Sequence, residues 1–409
     1  MSDATYTPDP SDQPLLGVMA LRSIVGSGLG LFMGTGVLLL FTFGIFIKPI
    51  EQATGWDRAT ISLATIPAAI MLGLLGPAVG MLVDRYGPRR VLIAAAPFQL
   101  AGMLALAYLS HTAAAFVGLF MLASILGCVQ TPVPFSYVVV GWFKRHRGLA
   151  MGLTFAFAGL GIASLPPIAA RLIEQFGWRH AYAALGAIAI LIALAAAIWL
   201  LRDPPSSEQR EAGVLEGMTL REAMRMPMFW ILVVGFLLNA IVATAGSITL
   251  PTILSDRGVA PTTAAFAMSF VGLALIAGRL GAGFLLDRYP AIPVATILFL
   301  APVFGHFLML GSTAPMAAVA AAIFFGLSTG AEGDAMSYIL SRAFGLKDYG
   351  KIFGVNFFGY AAGTGIGPAL MHQLRSDDGS YVQSLVTMGI AGVAAVVLMA
   401  LLWRRSLPY

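Results

Sequence analysis

Residues 80–90 read GMLVDRYGPRR, and residues 283–289 read GFLLDRY. One glycine, one aspartate, one arginine and one tyrosine recur at a single spacing. Gly80, Asp84, Arg85 and Tyr86 stand 203 positions before Gly283, Asp287, Arg288 and Tyr289. A second match follows at a shift of 202, where Gly148-Leu-Ala-Met-Gly152 stands against Gly350-Lys-Ile-Phe-Gly354. Two matches at nearly one offset, about half the chain length, describe a tandem of two like halves. Each charged stretch lies between long apolar runs, so the repeated unit is a set of hydrophobic segments with their loops.

Of 409 residues, 58% are hydrophobic and only 11% are charged, and the mean hydropathy is +0.86. A soluble domain has about a quarter of its residues charged. The apolar runs are about twenty residues long, enough for a helix to cross about 30 Å of hydrocarbon. They are continuous rather than alternating, which selects helices over a membrane β-barrel. Twelve spans are predicted, near 20–47, 60–82, 90–110, 113–141, 149–172 and 180–201, then 228–252, 262–286, 292–312, 315–341, 350–373 and 383–403. The expected fold is an all-α integral membrane protein with two pseudo-symmetric six-helix bundles, residues 20–201 and 228–409. Residues 202–227 form a polar linker, in which Thr219-Leu-Arg-Glu222 is a capping box that predicts a short surface helix. Residues 1–19 are acidic and Pro-rich without the basic start of a signal peptide, and read as a disordered tail.

The net charge of +5 invites a nucleic-acid reading, but its distribution indicates topology. Seventeen of the 24 lysines and arginines fall in loops on the side of the termini, six fall opposite, and Arg279 lies in neither set. The excess of basic residues puts both termini in the cytoplasm, in an inner membrane if the source is bacterial. Cys128 is a lone cysteine in an apolar run, excluding an intramolecular disulfide and fitting a packing role. Gly26, Gly30 and Gly34 recur every fourth residue in the first span, a spacing that lets helices approach closely. No zinc-ligand spacing, phosphate loop or nucleophile elbow stands out. The expectation is therefore no metal, no cofactor and no enzymatic activity.

GMLVDRYGPRR resembles the signature loop of the major facilitator superfamily, and GFLLDRY resembles its degenerate second copy. The resemblance spans essentially the whole chain. It implies two bundles rocking about a central cavity, with Asp84, Arg85, Arg89 and Arg90 holding the cytoplasmic side closed and Asp287 and Arg288 as their second copy. Residue chemistry agrees, because an acid at a helix end can cap free amides or pair with loop cations such as Arg145. The plain alternative is that these charges only mark topology.

Arg279 has only small or apolar residues for seven positions on either side, and its counterpart in the repeat is Gly76. An arginine at bilayer depth costs about 2.5–3.5 kcal/mol on insertion scales. Asp287 lies eight residues on, about 12 Å of helix, so Arg279 is too deep to reach the surface easily. Its planar fork suits a carboxylate; the alternative is a structural ion pair with another helix. Candidate acids are Glu332 and Asp334 in the tenth span, which point to nearly opposite helix faces. Either can pair with Arg279 or carry a proton; the alternative is a structural helix–helix hydrogen bond. Weaker candidates for substrate contact are His306, the stripe Asn356, Tyr360 and Thr364 at i, i+4 spacing, and Gln130 and Tyr137 in the fourth span. For each, ordinary packing is the competing reading.

Three stretches narrow the resemblance: FGIFIKPIEQATGWDRATIS (43–62), WFKRHRGLAMG (142–152) and AEGDAMSYILSRAFGLKDYGKIFG (331–354). They look like the corresponding stretches of bacterial relatives of monocarboxylate transporters. That likeness implies that Arg279 binds a substrate carboxylate. Two departures matter: Leu275 stands where animal members have an aspartate, and Phe41 where they have a lysine. Protons would then fall to Glu332, Asp334 or His306. The related oxalate/formate exchangers pair an eighth-span arginine with an eleventh-span lysine, but Lys351 is too shallow for that here. The reading is a monomeric, proton-coupled monocarboxylate symporter in a lipid bilayer, with anion exchange as the alternative. A multidrug exporter, using Glu332 and Asp334 for cations, and a transporter-like sensor stand behind these. The carboxylate itself is left open.

Overall fold

The computed structural model describes residues 17–143, 146–203, 216–257, 261–312, 314–376 and 380–404. Lys144, Arg145, Arg210, Arg405 and most of the expected tail lie outside them, so the pairing of Arg145 with the signature loop does too. Among the described residues the molecule is helical, and the twelve spans can be followed in order.

The first span is Val18–Phe32, a π-helical turn Gly36–Phe41 and Phe43–Thr54. The second comprises Arg58–Ser62, Thr65–Leu74 and Gly76–Tyr86. Pro88–Leu109 is the third, and the fourth is Ala113–Leu126 followed by Pro132–Trp142. The C-terminal half has Pro227–Asp256, Pro261–Arg288, Ala291–Gly311, Pro315–Phe344, Tyr349–Gln373 and Val382–Ala400 as spans seven to twelve.

Two differences from the sequence reading have clear causes. The fifth and sixth spans are separate helices as expected, but the connection is shorter: within Arg147–Ala195 they meet at a kink at Gly177 alone. At φ 76° and ψ 164° this residue occupies a region open essentially only to glycine. The fourth span, expected to be continuous, is broken over Gly127–Thr131. Pro132 and Pro134 offer no N–H to a preceding turn. The residue before a proline is pushed to extended backbone, and Thr131 sits at φ −110°, ψ 172°. The first span breaks at the same place in space: Thr35 N–H donates to the Gln130 carbonyl (3.1 Å), and its hydroxyl to the Gly127 carbonyl (2.6 Å).

The linker behaves as its motif requires. Thr219 N–H donates to Glu222 Oε2 (2.7 Å), and Glu222 N–H donates to the Thr219 hydroxyl (3.3 Å), opening the helix Leu220–Met224. These bonds hold the Glu222 carboxyl below its usual range. Met218 N–H reaches the Phe344 carbonyl (2.8 Å) and Leu220 N–H reaches Asp348 (3.0 Å), docking the linker on the loop between spans ten and eleven.

The halves meet along two crossed pairs, the second span with the eleventh and the fifth with the eighth. In hydrocarbon, helix contact depends on packing rather than a hydrophobic drive, so small residues set how closely backbones approach. A Cβ on Gly80 would lie 2.0 Å from the Gly350 carbonyl oxygen, and one on Gly283 would lie 2.5 Å from the Gly148 carbonyl oxygen. The motif glycines thus sit where the backbones of the two halves are in close contact.

Candidate functional site

The motif aspartates add hydrogen bonds between the halves. Asp84 accepts from the Gly350 and Lys351 amides at 3.0 and 2.9 Å. Asp287 accepts from the Gly148 and Leu149 amides at 2.7 and 2.9 Å. Each carboxylate therefore caps the first turn of a helix in the opposite half, where free amides and the helix dipole favour a negative charge. Around them, Arg147 donates to Ser341 across the halves (2.9 Å), and Ser337 and Tyr349 share a 2.5 Å hydrogen bond. Tyr137 lies here, its ring 6.2 Å from that of Tyr349. Lys351 is at this end as well, bound to Asp348 at 3.0 Å.

The arginines of the motif sit differently. Arg85 and Arg288 are exposed and stack on Tyr86 and Phe284 of their own spans, 5.3 and 4.1 Å from the ring centres. Arg89 braces the N-terminal half internally, donating to the Ala197 and Ile198 carbonyls (3.0 Å each), while its amide donates to Asp203 (3.0 Å). Arg90 is exposed.

Deeper in the membrane, spans eight and ten touch through Gly278, Gly326 and Gly330, whose added Cβ atoms would lie 2.1–2.4 Å from carbonyl oxygens across the contact. This brings Arg279 beside Asp334, with Nη1 3.7 Å from Oδ1. That separation is an ion pair without a hydrogen bond. Among the described residues, Arg279 Nε and Nη1 and both Asp334 carboxylate oxygens have no hydrogen-bond partner. The Asp334 side chain is wholly buried, and that of Arg279 is 12% exposed. The guanidinium carbon lies 5.5 Å from the centre of the Phe155 ring, within cation–π range.

Of the two acids left open by the sequence, Asp334 is the one at Arg279. Glu332 lies near Asn239 of the seventh span, which pairs with Ser328 at 3.3 Å, and Glu332 Oε1 has no hydrogen-bond partner among the described residues. Tyr360 lies within electrostatic reach of Glu332, Arg279 and Asp334. Asn356 is buried and donates to the Ile352 carbonyl of its own helix (3.0 Å), leaving Oδ1 unpartnered. Thr364 bonds the Tyr360 carbonyl (3.0 Å). His306 is not gathered with these groups. Its Nδ1 contacts the Pro302 carbonyl (2.8 Å) and its ring packs 4.8 Å from that of Phe325. Phe325 is nine residues, or about 13 Å of helix, from Asp334. Gln130 lies buried at the break of the fourth span.

Sequence reading missed Asn239 and Phe155. A lone amide in an apolar span carries a signal, since polar groups at that depth need partners. A phenylalanine in the same setting carries none. Among the described residues no three His, Cys, Asp or Glu side chains converge as metal ligands.

The sequence pattern described as the Major Facilitator Superfamily matches residues 26–368 and 247–408. The chain belongs to this superfamily. It is a multi-pass membrane transporter rather than an enzyme, and its relatives include monocarboxylate transporters. Among its relatives, the MFS transporter asaE of Aspergillus flavus is 24% identical over 403 residues, covering 95% of this chain and 88% of that protein. Monocarboxylate transporter 3 of Rattus norvegicus is 27% identical over 371 residues, covering 87% and 74%. The superfamily fold also appears in the solved proton:xylose symporter XylE, with a TM-score of 0.71 at 14% identity and coverage of 95% and 97%.

Proposed function

We propose that the protein is a secondary transporter of small monocarboxylates, coupled to protons, and that Arg279 holds the substrate carboxylate. The carrying observation is the Arg279–Asp334 pair, buried and 3.7 Å apart, with Arg279 Nε and Nη1 and both Asp334 oxygens lacking hydrogen-bond partners among the described residues. A substrate carboxylate offers the guanidinium two parallel hydrogen bonds that Asp334 does not make. Once it occupies Arg279, Asp334 is left without its counter-ion in the membrane interior. A buried charge that loses its partner is strongly disfavoured, so a proton neutralises it. One anion and one proton then enter together, and the loaded site keeps the net charge of the empty one. The naming of the rat relative for monocarboxylates supports the substrate class.

In this scheme the bundles, residues 20–201 and 228–409, rock about the site. Asp84 and Asp287 lock the side of the termini, which we assign to the cytoplasm of a bacterial inner membrane. A single deep cation favours one carboxylate over two, because Lys351 belongs to the lock. The test is uptake by purified protein in liposomes. An inward proton gradient should accelerate accumulation of a short monocarboxylate, and Asp334→Asn should remove that acceleration. Uptake indifferent to the gradient but dependent on internal anion would establish the exchange reading instead.

A further inference from the structure

The shift of 202–203 residues that aligns Asp84 with Asp287 also lays Gln130 and Thr131 on the stretch Glu332 to Asp334. In the C-terminal half that level holds two buried acids. In the N-terminal half it holds an amide and a hydroxyl, at the break between Leu126 and Pro132. Gln130 is 2% exposed and Thr131 is 4% exposed, matching the burial of Glu332 and Asp334. Gln130 Oε1, Gln130 Nε2 and Thr131 Oγ1 all lack a hydrogen-bond partner among the described residues. Thr131 stands at the N-cap of Pro132–Trp142, yet its hydroxyl makes no cap bond.

These groups are idle although the backbone that carries them is fixed. The Gln130 carbonyl accepts from Thr35 N–H at 3.1 Å, and the Thr35 hydroxyl both donates to the Gly127 carbonyl and accepts from Gln99 Nε2 at 3.4 Å. A Cβ on Gly34 would lie 3.1 Å from the Gln130 carbonyl oxygen. Main-chain bonds thus pin the break while the side chains keep free donors and acceptors. Buried polar groups are almost always satisfied, and unsatisfied ones call for a ligand or a cost. The named neighbours Thr35, Gly127 and Gln99 carry no charge.

We propose that Gln130 and Thr131 form an uncharged hydrogen-bonding subsite for the part of the substrate remote from its carboxylate. The transported acid then carries a second, neutral polar group, a hydroxyl, carbonyl or amide, and not a second carboxylate. This rests on the Arg279 reading for the placement of the carboxylate. Gln130 supplies both a donor and an acceptor, so either kind of group is matched. An aliphatic chain of equal size would leave the amide unpaired, and a site built to hydrogen-bond its ligand rejects the analogue lacking that group.

The test uses the full-length purified protein and two pairs of equal-sized acids: 4-hydroxybutanoate with pentanoate, and 5-hydroxypentanoate with hexanoate. Affinity is read by calorimetry or by displacement of a bound acid. At one chain length or the other, wild type should bind the hydroxy acid about tenfold or more tightly than its partner. Gln130→Leu should erase that preference by weakening the hydroxy acid alone, and Thr131→Val should reduce it while Thr131→Ser retains it. No preference in wild type at either length overturns the proposal, with no variant needed. Equal weakening of both acids in Gln130→Leu also overturns it. Arg279→Gln, measured alongside, should abolish binding of all four acids. If it spares them, the carboxylate assignment fails while the hydroxyl comparison still decides the subsite.

Discussion

On the side of the termini, Asp84 and Asp287 stand 203 residues apart in sequence and make the same pair of bonds to amides of the opposite half. At mid-membrane the same shift sets Arg279 against Gly76 and Asp334 against Thr131. One region repeats its chemistry and the other does not. In the proposed scheme a lock between two rocking bodies must bear on both alike, so duplicate caps and duplicate glycine contacts suit it. A site for an asymmetric ligand needs a different partner at each end. Charge in one half and neutral polar groups in the other supply that difference.

Breaking the asymmetric region should have the largest effect. Arg279→Gln removes the guanidinium and leaves Asp334 buried without its cation, a change of about 3–5 kcal/mol for a broken buried pair. Proton-driven uptake of a monocarboxylate should fall at least ~100-fold, measured in liposomes at matched protein density. Gly80→Ala and Gly283→Ala attack the symmetric region, since each new Cβ meets backbone at 2.0 or 2.5 Å. Each should raise the accessibility of a cysteine at position 341 to a thiol reagent applied from the side of the termini by about tenfold. A large effect from one glycine and none from the other would contradict the shared lock. Asp84→Asn and Asp287→Asn keep an acceptor but lose the charge that strengthens the cap. Both should raise the same accessibility by a smaller and similar factor, about threefold, without abolishing substrate binding. Thr219→Ala, outside both regions, removes a helix cap worth about 1 kcal/mol. It should lower thermal stability slightly and leave uptake unchanged.

Much of this was legible because a bilayer constrains a sequence strongly. The twelve spans follow from run length, and the repeat follows from the two motif loops. The single-residue turn at Gly177 was less readable, because a glycine between apolar residues does not announce its φ. The break at Thr131 was written in Pro132 and Pro134, although the apolar run around them read as continuous. At the site, Arg279 was visible because charge is expensive at that depth. Which acid faces it was not, since Glu332 and Asp334 differ only in rotation about one helix. That rotation is set by the glycine contacts of spans eight and ten, which depend on the packed structure. His306 shows the same gap: its polarity was plain, but its place beside Phe325 depended on which face of the ninth span turns outward.

The central claim is that a carboxylate displaces Asp334 from Arg279 and that Asp334 then takes a proton. The most direct test is to count protons as a short monocarboxylate is added to purified protein in weakly buffered detergent solution near neutral pH. Wild type should take up about one proton for each acid anion bound, and Asp334→Asn should bind the anion with no proton uptake. Undiminished proton uptake in Asp334→Asn, or anion binding to wild type without any, would contradict the account.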